Sequence, residues 1–413
     1  MEVIMTISSG VFTQLAAKKQ SALGTAASGA GAQLYRRTTA TLNKKKAFYK
    51  SSEIAPSMQR SDGRHGVVSV DGTINGELSV GTYSAFMGSV LRSSAWTASV
   101  SSGALIDVTA ATTGGANGTF TTAGANWLTL GFKIGMNIRW TGWSTTGVPN
   151  NTHNFLITAL TATVMTGTML DGVAVGAKAA GDSVTAASVG KHNYIPATGH
   201  ARDYWTIERN YSDITQSEQF VDCAFTGMNV KLPATGMATI DFPVIGLNMT
   251  VGTASVFTTP TAVTTGNVLA AANGAVYVAG TKIATITSLD FGIAGNYSVA
   301  GGTVGSNVDT DVFPGMIDVS GNMSVQFDSV TMRDYFLAET EVSIVAAFTT
   351  GNAANSDVMV FTFPVCKING ADKDDGEKGL TMTMPFVALE NTAGGTGTNT
   401  LNTTIVVQDS QAA

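Results

Sequence analysis

The sequence has little charge, and this shortage limits what kind of surface the protein has. Asp, Glu, Lys and Arg make up 13% of its 413 residues, about half of the usual share of roughly 25%. A large surface with few charges indicates that much of it contacts other protein, or that it is a Thr- and Ser-coated extracellular surface. The length suggests two or three domains, because single cores stop growing at roughly 250–300 residues.

The chain has only two cysteines and four histidines, so few residues could serve as metal ligands or in a catalytic triad. Cys223 and Cys366 fit no metal-ligand spacing, so we expect free buried thiols, although one disulfide between them is possible. The histidines are scattered, and the chain lacks nucleotide-binding glycine motifs and the nucleophile-elbow motif. The acidic stretch 372–377 lacks the pattern of a calcium-binding EF-hand loop, so we expect a solvated loop there. We therefore predict no enzymatic activity, no cofactor and no metal.

Long apolar runs are missing as well. Lys18 and Lys19 interrupt the apolar stretch near the start, so we expect no signal peptide. No run reaches the ~18 apolar residues that a membrane helix needs. We expect a protein that is made in a reducing cytoplasm and does not enter a membrane.

The charges that are present are placed unevenly. Residues 1–60 hold nine Lys or Arg against two Glu, whereas the remaining residues hold 14 Lys or Arg and 27 Asp or Glu. A basic arm on an acidic body is typical of a nucleic-acid-binding tail, or of a segment that docks on a neighbouring subunit. No nucleic-acid motif surrounds the basic residues, which favours self-association. The candidate inter-subunit residues are Arg36, Arg37, Lys44, Lys45 and Lys46.

The clearest strand pattern lies at residues 65–78. Apolar residues at 68, 70, 74 and 78 fall on one face, and polar residues fall on the other. This period-two alternation is typical of a half-buried strand. Its polar face carries Asp71, Thr73, Asn75 and Glu77.

Two short helices are expected among the strands. The apolar spacing of residues 80–91 predicts the first, with Ser79 as its N-cap. Residues 331–337 predict the second, with Thr331 as its N-cap. The run 12–23 is also helix-like.

Composition divides the chain into four parts. Residues 97–195 are rich in Thr, Gly and Ala and hold seven charged residues and three of the five tryptophans. We interpret them as a small inserted all-β domain whose tryptophans form a core or bind sugar. The predicted organisation is a basic arm (1–50), the first part of a body (51–96), the insert (97–195) and the second part of the body (196–413). The predicted fold is mainly β: an antiparallel sandwich or barrel with two short helices and an inserted β domain.

Three stretches of the body resemble the tail tube proteins of long-tailed bacteriophages (siphophages), in the order and spacing of that family. The stretches cover both ends of the predicted body, whereas residues 97–195 match nothing in the family pattern. They are SEIAPSMQR (52–60) with VDGTINGEL (70–78), YWTIERNYSD (204–213) with FTGMNV (225–230), and GNMSVQF (321–327) with FPV (363–365).

The resemblance implies a structural subunit of the virion tail. Such proteins form hexameric rings that stack into a hollow tube, and their inner strands join in a barrel around a lumen through which DNA passes without specific binding. The implied partners are copies of the same chain, the tape measure protein, the tail terminator and baseplate proteins. Assembly would take place in the cytoplasm of the host bacterium.

The acidic body fits a lumen that repels DNA phosphates. We hypothesise that Asp71, Thr73, Asn75 and Glu77 line this lumen, with a plain outer surface as the alternative. Other interpretations of the whole chain are a baseplate or capsid decoration protein, an S-layer or adhesin-like surface protein, or a carbohydrate-active enzyme on a β scaffold.

Overall fold

The computed structural model describes residues 7–328, 330–374, 377 and 379–413. Over these residues the chain is mainly β, with antiparallel strand pairs and two short α-helices. The predicted fold class, a mainly β sandwich or barrel with few helices, is confirmed.

The helices and strands are numbered in chain order. Before helix α1 (Ser84–Val90) lie β1 (Thr13–Lys19), β2 (Gln33–Leu34), β3 (Thr39–Ala40), β4 (Asn43–Lys50) and β5 (Gly63–Glu77). After it come β6 (Thr109–Gly114), β7 (Asn117–Thr121), β8 (Asn137–Thr141), β9 (Phe155–Leu160), β10 (Val164–Met169) and β11 (Thr185–Ser188). Short 3-10 helices occur at Gly10–Phe12, Thr145–Asn150 and Ala271–Asn273.

The second half of the chain continues with further strands. Before helix α2 (Thr331–Leu337) lie β12 (Lys191–Tyr194), β13 (Trp205–Tyr211), β14 (Gln216–Phe225), β15 (Gly227–Pro233), β16 (Thr239–Gly246), β17 (Asn248–Gly252), β18 (Gly274–Val278), β19 (Thr281–Lys282), β20 (Ile286–Ala294), β21 (Ser298–Gly302), β22 (Asp309–Phe313) and β23 (Asp318–Gln326). After it come β24 (Val342–Thr349), β25 (Val358–Ile368), β26 (Asp372–Lys373), β27 (Thr381–Leu389) and β28 (Val406–Asp409).

The main sheet covers one side of the largest hydrophobic core. Its antiparallel order is β4-β5-β16-β15-β20-β23-β27-β25-β24-β18. Strand β28 pairs with the first half of β25 and with β12, while β27 pairs with the second half of β25. A second layer, in the order β2-β1-β13-β14-β17, covers the other side of the core. The end of β14 also pairs with β16 and so joins the two layers.

Helix α1 fills the core between the layers. Phe86 is fully buried, and its ring centroid lies 4.1 Å from that of Tyr35 and 4.2 Å from that of Phe225. The rings of Trp205 and Phe242 lie 5.4 Å and 5.5 Å away, in edge-on orientations. These are the favourable geometries for aromatic pairs, so one helical side chain links both layers.

Both predicted helix caps are wrong. Helix α1 begins at Ser84 after Tyr83, because residues 79–83 form a turn in which the Ser79 hydroxyl donates to the Thr82 hydroxyl (2.7 Å). Helix α2 has the predicted bounds, but Thr331 is its first helical residue and makes no side-chain capping hydrogen bond.

The predicted helix-like run at 12–23 is strand β1. This strand pairs with β13 along its whole length, from Thr13 opposite Tyr211 to Lys19 opposite Trp205. The pairing places Leu15 in the core. Tertiary pairing therefore overrides the helix propensity of the alanines and lysines here.

Residues 109–188 build a separate six-stranded sheet in the order β11-β8-β9-β10-β7-β6. It has a hydrophobic cluster of its own. The chain leads into this region and out of it side by side: the Thr97 N–H donates to the His192 carbonyl (2.8 Å), and the His192 N–H donates to the Thr97 carbonyl (3.1 Å). The cluster contains Trp127, Trp140 and Trp143.

The six-stranded sheet packs on the outer side of β24 and β25. Leu156 forms a buried cluster with Val345 and Val358, which point away from the main core. The buried Gln408 side chain accepts a hydrogen bond from the Asn137 N–H and donates to the Asn137 carbonyl, each at 2.8 Å. This contact is both apolar and hydrogen-bonded, so it fixes the orientation of the six-stranded sheet.

Candidate functional site

The polar residues of β5 lie on an outward face of the main sheet. Asp71, Thr73 and Asn75 are half-buried and Glu77 is exposed, whereas the apolar side chains of the strand that point the other way, Val68, Val70 and Ile74, are fully buried. The predicted alternation of this strand is therefore confirmed.

The same face continues across the neighbouring strands. Strand register places Asn75 opposite Asp241, which lies opposite Asn229 on β15. A second row begins with Glu77 opposite Thr239. It continues through Lys231, Asp290, Asn322 and Pro385. We call the outward face of β5, β16, β15, β20, β23 and β27 the polar face.

The polar face carries more acid than base. Its side chains are mostly short, and an Asn229 amide N–H donates to Asp241 (2.7 Å). The exposed pair Lys45–Asp71 is joined at 2.7 Å. The charged residues on this face are the carboxylates Asp71, Glu77, Asp241, Asp290 and Asp318 and the single lysine Lys231, and the face is flanked by Lys45 on β4 and Lys367 on β25.

The sequence predicted only the β5 part of this face. The alternation of residues 239–246 indicates that Asp241 points away from the core, but nothing in it specifies a neighbour. Register depends on which strands pair, and single-strand periodicity carries no such information.

Strands β4 and β5 form a long hairpin at one edge of the main sheet. Among the described residues, β4 pairs with β5 alone, so its other edge has free backbone groups. We define the hairpin tip as residues 46–64. Large apolar side chains are exposed there: Phe48 (54%), Tyr49 (59%), Ile54 (101%) and Met58 (97%).

The predicted inter-subunit cations have different surroundings. The Arg36 guanidinium donates to the Gly266 carbonyl (2.6 Å) and that of Arg37 donates to the Thr13 carbonyl (2.9 Å). Lys44 donates to the Asn248 side chain (2.9 Å). These three therefore serve contacts within their own chain.

The other two predicted cations are more accessible. Lys45 pairs with Asp71, and Lys46 is exposed. Burial lowers the pKa of the Arg37 guanidinium. An inter-subunit role of the group stays a prediction, and Lys46 is its best placed member.

The tryptophans of the six-stranded sheet are core residues. Trp127 and Trp140 are fully buried and Trp143 is 4% exposed. A sugar-binding platform needs an exposed aromatic face, so these rings do not provide one.

The two cysteines and the histidines His153 and His192 lie outside the six strands of the polar face. His153 Nδ1 pairs with the Asp171 carboxylate, and burial lowers the pKa of His192 to about 4. Cys223 and Cys366 are free and buried, and burial raises the pKa of both thiols.

The part of the chain that the structure describes has neither a metal-binding cluster nor a membrane-spanning helix. No three His, Cys, Asp or Glu side chains there come together in a group that could hold a metal ion. No helix there is long and apolar enough to cross a membrane. Of the acidic stretch 372–377, Asp375 lies outside the described residues.

Comparison with known proteins identifies the family. No curated protein matches the chain. The family model described as phage tail tube protein matches residues 13–393, from β1 to just beyond β27, and so covers nearly all of the sheets. The chain belongs to the phage tail tube protein family.

Proposed function

We propose that copies of this chain form hexameric rings that stack into a long tube, with the polar face lining the lumen. As a phage tail tube protein, the chain is a structural subunit of the virion tail that assembles with copies of itself into a tube. The observation that supports the lumen assignment is the width of the polar face, which extends without interruption across six strands.

The charge of the polar face suits the passage of DNA. Five carboxylates against Lys231 give it a net negative charge, which the flanking Lys45 and Lys367 offset only in part, since Lys45 is itself paired with Asp71. Phosphates bind proteins mainly through Lys and Arg, so a surface with excess carboxylate holds DNA weakly. DNA would then slide through the tube without specific binding.

The free edge of β4 suits ring closure. An exposed strand edge is a template for another strand, and closing a sheet into a ring removes such edges. A neighbouring subunit that adds a strand at β4 would continue the polar face around the lumen. Six copies would then surround one channel.

Residues 97–195 are proposed as an inserted domain on the outside of the tube, between two parts of the body at 51–96 and 196–413. Its docking side covers the outward side of β24 and β25, at the opposite end of the main sheet from the β4–β5 hairpin. Because the polar face lies on this same side of the sheet, this arrangement requires the sheet to curve away from the lumen beyond β27. Residues 1–50, proposed as a basic arm, would supply contacts between subunits through Lys46.

The proposed partners follow from the position of a tube in a tail. Its interior would hold the tape measure protein, and its two ends would contact the tail terminator and the baseplate. The subunit would be made in the cytoplasm of the host bacterium and end in the virion. A structural role of this kind needs no catalysis and no cofactor.

The test reverses charge on the polar face of assembled particles. We expect Glu77→Lys with Asp290→Lys to slow DNA ejection by at least about tenfold, because each added lysine can hold a phosphate. Tube length and number should stay as in the wild type. Ejection is measured by the fluorescence of a dye that binds released DNA, and tubes are measured by electron microscopy.

Two controls separate the sign of the charge from other effects. Glu77→Gln with Asp290→Asn removes the carboxylates without adding cations and should leave ejection close to wild type. Thr113→Lys with Ala180→Lys adds cations at exposed positions on β6 and on the connection between β10 and β11 and should also leave ejection unchanged. Wild-type ejection from the Glu77→Lys, Asp290→Lys particles would show that the polar face does not line the lumen.

A further inference from the structure

The hairpin tip and helix α2 lie at opposite ends of the molecule. Strand β5 runs from Gly63, in the tip, to Glu77, a distance of roughly 45 Å at 3.3 Å per residue. The row of paired residues that contains Glu77 reaches Asn322 on β23. Strand β23 then runs four residues further in the same direction, to Gln326, and α2 follows.

The hairpin tip is basic and apolar. Lys46, Lys50 and Arg60 are exposed there, and Arg64 pairs with Asp62 (3.2 Å). The exposed apolar residues of the tip project from the same loop. Solvent-exposed apolar side chains in a group indicate a contact with another macromolecule.

The outer side of helix α2 is acidic and apolar. Val330, Asp334 and Leu337 follow helical spacing and share one exposed side, and Leu337 is 66% exposed. Met332 on the other side is buried in the main core. We define the α2 surface as Asp328, Val330, Asp334, Leu337, Glu339 and Glu341, all of which are exposed.

We propose that the hairpin tip of one copy docks on the α2 surface of a second copy, and that this contact holds successive rings together. The inference rests on the proposed stacking of rings and identifies the two surfaces that meet. Cations of the tip would face carboxylates of the α2 surface, and Ile54 and Met58 would cover Val330 and Leu337.

A second copy is the partner that the charges favour. The two surfaces are complementary in sign, and each combines charged with apolar side chains. They point in opposite directions along the strands, so the contact joins unlike patches of identical subunits. Contacts of this heterologous kind continue without closing and generate filaments.

The test exchanges charges between the two surfaces in the purified full-length chain. One variant carries Lys46→Glu, Lys50→Glu and Arg60→Glu. The other carries Asp328→Lys, Glu339→Lys and Glu341→Lys. Each variant alone should reduce the amount of sedimenting tube by at least about tenfold, and the combination should restore it to within about twofold of wild type.

Ionic strength and a control variant complete the test. Wild-type tubes should shorten when NaCl rises from about 50 mM to about 300 mM, because salt screens exposed charges. Glu390→Lys, which reverses an exposed acid just after β27, should leave tubes unchanged. Melting temperatures should match wild type for every variant, since the substituted residues are exposed.

The outcomes distinguish the docking inference from the proposed function. If the wild-type chain forms no tubes, the proposed function itself fails. If it forms tubes that both charge-reversed variants also form, the docking inference is wrong and the tube remains. If the single variants lose tubes while the combination does not recover them, the hairpin tip contacts a different surface, which also overturns the inference.

Discussion

Phe86→Ala should lower the free energy of unfolding by about 3–5 kcal/mol, the cost of removing a large aromatic side chain from a packed core. The ring is fully buried and contacts aromatic side chains of both layers, among them Tyr35 next to β2 and Phe242 on β16. The cavity cannot collapse easily, because the strands around it are fixed by their pairing in two sheets. The measurement is urea unfolding followed by tryptophan fluorescence and circular dichroism.

The matched control is Phe48→Ala in the hairpin tip. It removes the same atoms from a side chain that is 54% exposed, so its effect on unfolding should stay below about 0.5 kcal/mol. Phe86→Leu should fall between the two, because leucine fills part of the cavity. Similar losses for Phe86→Ala and Phe48→Ala would contradict the position of α1 at the centre of the core.

The second large effect concerns two buried ionisable groups on the paired strands β12 and β28. Asp409 is fully buried and accepts hydrogen bonds from the Gly81 N–H (2.8 Å) and the Gln411 N–H (2.9 Å). Burial nevertheless raises the pKa of its carboxyl to about 6. Burial lowers the pKa of the His192 imidazole to about 4.

These shifts act on stability in opposite directions. Asp409 has a pKa above its unfolded value of 3.8, so its contribution to stability is full below pH 3.8 and is lost as the pH rises through about 6. His192 has a pKa below its unfolded value of 6.5, so its contribution is full above pH 6.5 and is lost as the pH falls through about 4. Each shift corresponds to about 3 kcal/mol at most, and the two largely cancel between pH 4 and 6.5.

Removing either group should expose the pH dependence of the other. On going from pH 7.5 to pH 4.5, the unfolding free energy of His192→Gln should rise by about 2 kcal/mol relative to the change seen in the wild type. Over the same interval, that of Asp409→Asn should fall by about 2 kcal/mol relative to the wild type. Other carboxyls titrate equally in all three proteins, so the difference from wild type isolates the pair. Urea unfolding at the two pH values measures these differences. Parallel pH profiles in all three proteins would contradict the pKa shifts of His192 and Asp409.

The sequence predicted the elements whose pattern is local. The alternation of β5 is visible because each polar residue is one step from a buried apolar one, and helix α2 is visible because Met332, Tyr335 and Phe336 recur at helical spacing. The predicted core role of the insert's tryptophans is confirmed by their burial.

The elements that were predicted wrongly depend on distant partners. Strand β1 has the composition of a helix, and it is a strand because β13 pairs with it from nearly two hundred residues away. Residues 401–408 include several β-forming residues, but β28 begins only at Val406, since residues 401–405 do not continue the ladder with β25. The acidic character of the polar face was expected from net charge, but its residues come from six strands whose order the sequence does not reveal.

The side-by-side course of the chain at Thr97 and His192 makes the stretch between these two residues easy to replace by another domain. The two residues are joined by a pair of backbone hydrogen bonds, so whatever lies between them begins and ends at nearly the same point. Exchanging that stretch for a different folded module would add little loop-closure cost to the rest of the chain. A replacement must still cover Val345 and Val358, so it needs an apolar surface of its own at the point of contact. A tube built from such subunits would carry the replacement domain at regular intervals.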